Sequence, residues 1–246
     1  AIPVSSSAER RWSKRVRQAL PEWVAGTIQP ILMLVLEQQG IEAELRLEGD
    51  KLFIDYPHLT QGTGYVSPSV MLEFGARSTG EPASPRDIVC DAAASVEGVA
   101  FPVARARVMH AERTCWEKAT AIHVFCLQSR MRGDRFSRHW HDIVRLDAAG
   151  IADRAIEDNL LAVAVARHKT MFFSEKTADG SKVDYSAATA GELQLVPGGD
   201  ALGLLAEDYH KMTEDGLLAM APEPFDVLMD RCADIAHRAN TTFKTE

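Results

Sequence analysis

Ala111-Glu112-Arg113-Thr114-Cys115-Trp116-Glu117-Lys118-Ala119-Thr120-Ala121-Ile122-His123-Val124-Phe125-Cys126-Leu127-Gln128 is the stretch at which the chain changes character. Ahead of it, apolar residues alternate with polar ones. From residue 112 to about 129 they recur every three or four positions, and Cys115, Ala119, Ile122 and Cys126 share one stripe of a helix. Further segments with the same period follow at 138–147, 152–170, 201–219 and 224–240, with a polar loop at 177–186 turned by Asp179-Gly180. The second half therefore reads as a helical bundle, and residues 111–246 are expected to form a helical domain.

Working back from this stretch, the first half mixes helix with strand. Residues 8–39 read as helix, with Trp12, Val16, Leu20 and Trp23 on one face, a division expected at Pro21 and a stop at Gly40. A hairpin follows: Ala43, Leu45 and Leu47 alternate with charged residues, Gly49-Asp50 turns the chain, and Leu52, Ile54 and Tyr56 alternate again. Val70-Met71-Leu72-Glu73-Phe74 is a third strand, and 86–90 and 102–109 are weaker ones. Runs of strand followed by runs of helix make the fold class α+β, with 1–110 as its mixed part.

Composition narrows the class further. Hydrophobic residues make up 46% and charged residues 25%, ordinary for a globular protein. The longest apolar run, Ile28–Leu36, is interrupted by Gln29 and Pro30 and falls short of a membrane span, so it reads as a core helix and no membrane partner is expected. No secretory leader is visible, because Arg10–Arg17 is followed by Pro21, Glu22 and Trp23. Cys90, Cys115, Cys126 and Cys232 have no zinc or redox spacing, which points to a reduced, cytoplasmic protein. A net charge of −8 argues against non-specific coating of nucleic acid. Two local basic clusters, Arg10/Arg11/Lys14/Arg15/Arg17 and Arg130/Arg132/Arg135/Arg138, are either solvated faces or sites for a polyanion.

Few residues carry chemistry on pattern alone. Glu73, flanked by Leu72 and Phe74, points to the opposite sheet face, either as the wet side of an edge strand or as a carboxylate for Mg²⁺. A two-metal site needs several converging acids, and no D-x-D occurs in the chain. At ~100° per residue, Lys118 lies about 60° from the centre of the apolar stripe and Glu117 nearly opposite it. Lys118 either snorkels or faces an enclosed anion such as phosphate. In Arg138-His139-Trp140-His141-Asp142, helical spacing keeps the two histidines from sharing a metal. Arg138 and Asp142 are spaced as an i,i+4 ion pair worth ~0.3 kcal/mol, or as an acid and its supporting cation near phosphate. Gly198-Gly199-Asp200 fits a helix cap, and no P-loop, nucleophile elbow or dinucleotide fingerprint is present.

Taken in order, several segments resemble the AbiEii/AbiGii toxin family of bacterial nucleotidyltransferase-like proteins. They are Val70-Met71-Leu72-Glu73-Phe74-Gly75-Ala76-Arg77, Arg113-Thr114-Cys115-Trp116-Glu117-Lys118-Ala119 with His123 after it, and Arg138-His139-Trp140-His141-Asp142. His168-Lys169, Leu195-Val196-Pro197, Asp208-Tyr209 with Met212, and Pro224-Phe225 are similar to the family's helical tail. The likeness runs over most of the chain from about residue 10; Cys115 stands where the family usually has Phe.

The resemblance implies a nucleotidyltransferase-like sheet followed by the helical bundle, and transfer of a nucleoside monophosphate from an NTP to an RNA acceptor such as a tRNA end. By position, Glu73 would be a metal-site carboxylate, Lys118 a contact to the triphosphate, and Asp142 a further active-site acid. Arg77 and Arg138 would hold phosphate, with Mg²⁺ as cofactor and a cognate antitoxin as partner. The family's glycine-serine motif and its D-x-D are expected upstream of Ala1, so these 246 residues are expected to transfer no nucleotide alone. A competing reading is a helical module that binds RNA or antitoxin through the two basic clusters without chemistry. A hydrolase built on the His and Asp residues is disfavoured by the helical geometry.

Overall fold

The computed structural model describes residues 6–58, 68–75, 81–128, 135–218 and 221–244. The fold is α+β, and the chain divides into two compact units, Ala1–Thr79 and Gly80–Glu246.

In the first unit, helix α1 (Ser6–Trp23) runs into a π-helical turn at Val24–Ile28 and then α2 (Gln29–Gln38). The expected break at Pro21 does not occur: α1 passes straight through it. A proline removes a single backbone donor, and the change of register falls instead just before Pro30, in the first turn of α2. Gly40 does end α2. At φ +63° its N–H donates to the Glu37 carbonyl while that of Ile41 donates to Leu36, the paired bonds of a Schellman cap.

Strands β1 (Glu44–Glu48), β2 (Lys51–Asp55) and β3 (Ser69–Glu73) form an antiparallel sheet in the order β1-β2-β3. The two-residue turn between Glu48 and Lys51 places Gly49 at φ +63°, as tight hairpins require. Leu52 is fully buried opposite Leu72, and the Trp23 and Phe74 rings meet edge-on at 6.0 Å.

One expectation fails here. Ile28–Leu36 was read as a core helix, yet α2 buries no residue, and Ile31, Met33 and Leu34 are each more than half exposed. The helix Arg11–Gln38 also holds an 18-residue window of mean hydropathy 1.4, long and apolar enough to cross a membrane by length and composition. Helix α1 runs through Pro21 and the π-turn links it to α2, so the continuous helix is longer than the run Ile28–Leu36.

The second unit begins with an antiparallel ribbon, β4 (Ala83–Val89) and β5 (Val103–Met109). The two units part at 79/80, ahead of the 110/111 boundary expected from the change of pattern, and the ribbon accompanies the helices. Then come α3 (Ala111–Gln128), α4 (Arg138–Ala148), α5 (Ile151–Glu157), α6 (Asn159–Phe172), α7 (Asp200–Glu214) and α8 (Phe225–Lys244). The single helix expected at 152–170 is two: Asp158 leaves helical geometry and its carboxylate accepts from the Leu161 N–H at 3.0 Å, capping α6. Helix α7 starts as expected, but Gly199 occupies the cap position and Asp200 the first turn.

The core is built around α3, whose stripe Cys115, Ala119, Ile122 and Cys126 is buried as its period requires. Two enclosed tryptophans flank it. Trp116 donates Nε1–H to the Ala155 carbonyl, and Trp140 donates to that of Leu195, each at 2.7 Å. The irregular stretch after α6 is pinned rather than loose. Val183, Tyr185, Leu193 and Leu195 are buried, and the Asn240 side chain both donates to and accepts from the Leu193 backbone.

Candidate functional site

Helix α3 presents Glu117 and Lys118 on the flank facing α4 and α6. The Lys118 ammonium donates to Asp142 Oδ2 at 2.7 Å, bringing together two residues named separately from the sequence. Their side chains retain 24% and 40% of their exposure, so the pair sits at a rim that solvent reaches. The i,i+4 alternative is not what forms: among the described residues no ion pair joins Arg138 to Asp142.

A cleft of about 410 Å³ opens beside the pair, lined by Arg138, His141, Asp142, Arg145, Met212, Leu217 and Leu218. That volume is within the range of small-ligand sites. Its lining combines two arginines from one face of α4 with the apolar Met212, Leu217 and Leu218. His139 stands close enough to Lys118 and Arg138 to feel both charges. Burial, reinforced by these cations, pushes its imidazole down to about 4, so it is neutral at physiological pH.

Glu117 departs from its expected place. It was read as lying opposite the buried stripe, yet its side chain keeps only 18% of its exposure and bonds Lys169 of α6 at 2.5 Å. Arg113 adds a contact at 3.1 Å and His168 stands 3.9 Å away. Burial alone would raise the Glu117 carboxyl, but Lys169, then Arg113 and His168, outweigh it and hold the group below its ordinary range. The helical wheel of α3 carries no sign of Lys169, which covers that face from α6; the one sequence signal was the unusual density of ionisable residues at 112–118 and 167–169.

Glu73 lies in the first unit. It is exposed at the end of β3 with Lys51 as its cross-strand neighbour. Arg77, like Arg130 and Arg132, falls outside the described residues. No group of three or more His, Cys, Asp or Glu side chains able to hold a metal occurs among the described residues. Asp142 offers one carboxylate, already engaged with Lys118, so the donors present do not by themselves make a magnesium site.

The arrangement suits an anion. Arg138 and Arg145 line a partly enclosed cleft, and Lys118 reaches its edge through Asp142; cations interact with phosphate more strongly in such a place than in open solvent. A family model described as nucleotidyl transferase AbiEii toxin, type IV toxin–antitoxin system, matches residues 4–231. The chain belongs to the AbiEii family. No curated protein and no solved structure matches it. AbiEii proteins are nucleotidyltransferase-like toxins of type IV toxin–antitoxin systems. In this AbiEii chain the family-like segments around Lys118 and Asp142 come from α3 and α4, which this ion pair joins at the edge of the cleft.

Proposed function

We propose that the Lys118–Asp142 cleft is the nucleotide-phosphate site of an AbiEii nucleotidyltransferase that moves a nucleoside monophosphate from an NTP to an RNA acceptor. What supports this reading is the 2.7 Å contact between a lysine and an aspartate from different helices, on the rim of an arginine-lined cleft. In this reading Lys118 and Arg138 hold the triphosphate. Asp142 binds Lys118 until the nucleotide arrives and then serves as an active-site acid. Arg77 is assigned a phosphate contact, and Glu73, within the nucleotidyltransferase-like part at 1–110, a metal-site carboxylate. Mg²⁺ would neutralise charge developing on the transferring phosphoryl group, a role that needs several converging carboxylates, and no such group occurs among the described residues. In this reading the 246 residues bind a nucleotide's phosphates and do not transfer them. A cognate antitoxin as partner, a cytoplasmic location and no membrane partner complete the reading.

The test is an ATP titration followed by thermal unfolding, with a parallel radiolabelled-NTP assay on RNA. Binding stabilises the folded chain by mass action. ATP is expected to raise the melting temperature of the wild type and not of Lys118→Met, and no label is expected to enter RNA. An equal rise in both proteins would remove Lys118 from the site; incorporation of label would overturn the inactivity of this chain.

A further inference from the structure

Three consecutive residues of α3 address three different helices. Trp116 Nε1 reaches Ala155 of α5 at 2.7 Å, Glu117 Oε2 reaches Lys169 of α6 at 2.5 Å, and Lys118 Nζ reaches Asp142 of α4 at 2.7 Å. At ~100° per residue these contacts span more than half the circumference of the helix. A helix held from one side can roll; one held in three directions cannot. The Lys118–Asp142 contact is the most exposed of the three, so it is the one that exchanges with a ligand. The Trp116 and Glu117 contacts set where the ammonium stands when it does.

We propose that Glu117 is a positioning residue for Lys118, acting through its salt bridge to Lys169; this rests on the reading of Lys118 as the phosphate-binding cation. Glu117 divides its two oxygens between helices. Oε1 takes Arg113 one turn back on α3, at 3.1 Å, and Oε2 takes Lys169. Arg113 is in turn fixed by donating to the Glu81 carbonyl at 2.7 Å, and the Lys169 ammonium lies 4.5 Å above the Phe173 ring. The side chains of Arg113 and Lys169 are only 5% and 11% exposed. Lys169 is thus committed to Glu117 inside the protein, while Lys118, one residue on, keeps its charge at the rim. Glu117 touches no ligand in this scheme. It prevents α3 from rolling and carrying the Lys118 ammonium away from Asp142 at the edge of the cleft.

Removing one member of an enclosed ion pair strands the other, whereas replacing both with neutral groups of similar size is often tolerated. The variant of choice is therefore the double change Glu117→Gln/Lys169→Met in the full chain, with Lys169→Gln as a second variant should the first not fold. The probe is inorganic tripolyphosphate, titrated calorimetrically into the wild type, the pair-deleted variant, Lys118→Met, and their combination. The pair deletion is expected to weaken binding about tenfold and to add no further loss in the Lys118→Met background, because the two act through one group. The Lys118 ¹³Cε resonance, assigned by its disappearance in Lys118→Met, is expected to shift on pair deletion while the remaining lysine signals hold still. Unchanged binding, an equal loss in both backgrounds, or an unmoved Lys118 signal would overturn the proposal. Wild-type binding by Lys118→Met would instead overturn the phosphate reading, and the positioning role with it.

Discussion

Lys118 Nζ and Asp142 Oδ2 are 24 positions apart in the chain and 2.7 Å apart in space, so α3 and α4 meet through a pair of opposite charges at the mouth of the arginine-lined cleft. In the phosphate reading proposed above, the carboxylate stands where a phosphate would sit against the lysine.

The competition this implies can be measured. In EDTA, Asp142→Asn is expected to bind tripolyphosphate more tightly than the wild type, on the order of threefold, because a half-exposed ion pair contributes up to about 1 kcal/mol that the anion no longer has to displace. Calorimetry reads the change directly. Weaker binding in Asp142→Asn would mean that the carboxylate orients Lys118 for the anion and does not compete with it.

Acid should destabilise the second unit through His123. Its side chain is 1% exposed, Nδ1 accepts from the Gln194 N–H at 3.1 Å, and burial pushes the imidazole from 6.5 to about 4. The folded state thus holds the ring neutral while the unfolded chain protonates it. Stability is complete above about 6.5 and falls as pH drops from there towards 4. His123→Leu is expected to be less stable than the wild type at pH 8, by about 1–3 kcal/mol for the orphaned Gln194 N–H, with a flatter acid limb. Urea unfolding at pH 8 and pH 5 checks both; an equally steep acid limb in His123→Leu would assign the loss to other groups.

Thiol chemistry should single out one cysteine. Cys115, Cys126 and Cys232 are enclosed and burial pushes each thiol up to about 12, while Cys90 is exposed. Ellman's reagent on the native chain is expected to titrate Cys90 alone, with the other three appearing in denaturant. A second fast-reacting thiol would show that the core around α3 opens readily.

Gly191 is a further point of constraint. It adopts φ +90°, and a Cβ there would stand 2.6 Å from Lys244 Cγ and 3.2 Å from the Asn240 carbonyl oxygen of α8. Gly191→Ala is expected to cost roughly 1–3 kcal/mol, read as a lower midpoint in urea. Adding Lys244→Ala should recover part of that loss by relieving the side-chain clash, but not the backbone strain.

The sequence shows some of these features and hides others for physical reasons. Helix α3 is legible because Cys115, Ala119, Ile122 and Cys126 keep a helical period, and the hairpin because Gly49-Asp50 interrupts strict alternation. The break at Asp158 is not, since Ala155, Ile156, Leu161 and Ala162 continue the apolar pattern across it. Lys118 and Asp142 stand out individually through spacing and family likeness, but nothing in either segment encodes their meeting, which depends on the packing of α3 against α4. Glu117 is misread because a helical wheel ranks faces by the helix's own residues, and here Lys169 of α6 turns a nominally wet face into an enclosed one. The apolar surface of α2 misleads in the opposite sense: composition predicts burial, and no described residue provides it.

Helix α8 extends past the last residue matched by the family, 231, and its Phe243 ring lies 5.6 Å from that of Trp116, on the core side of α3. During synthesis, α3, α4 and α6 all leave the ribosome before that ring is made. The core face of α3 at Trp116 thus stays open until translation has run through residue 243, and a nascent chain carries Lys118, Asp142 and both arginines of the cleft before it has the packing that fixes α3.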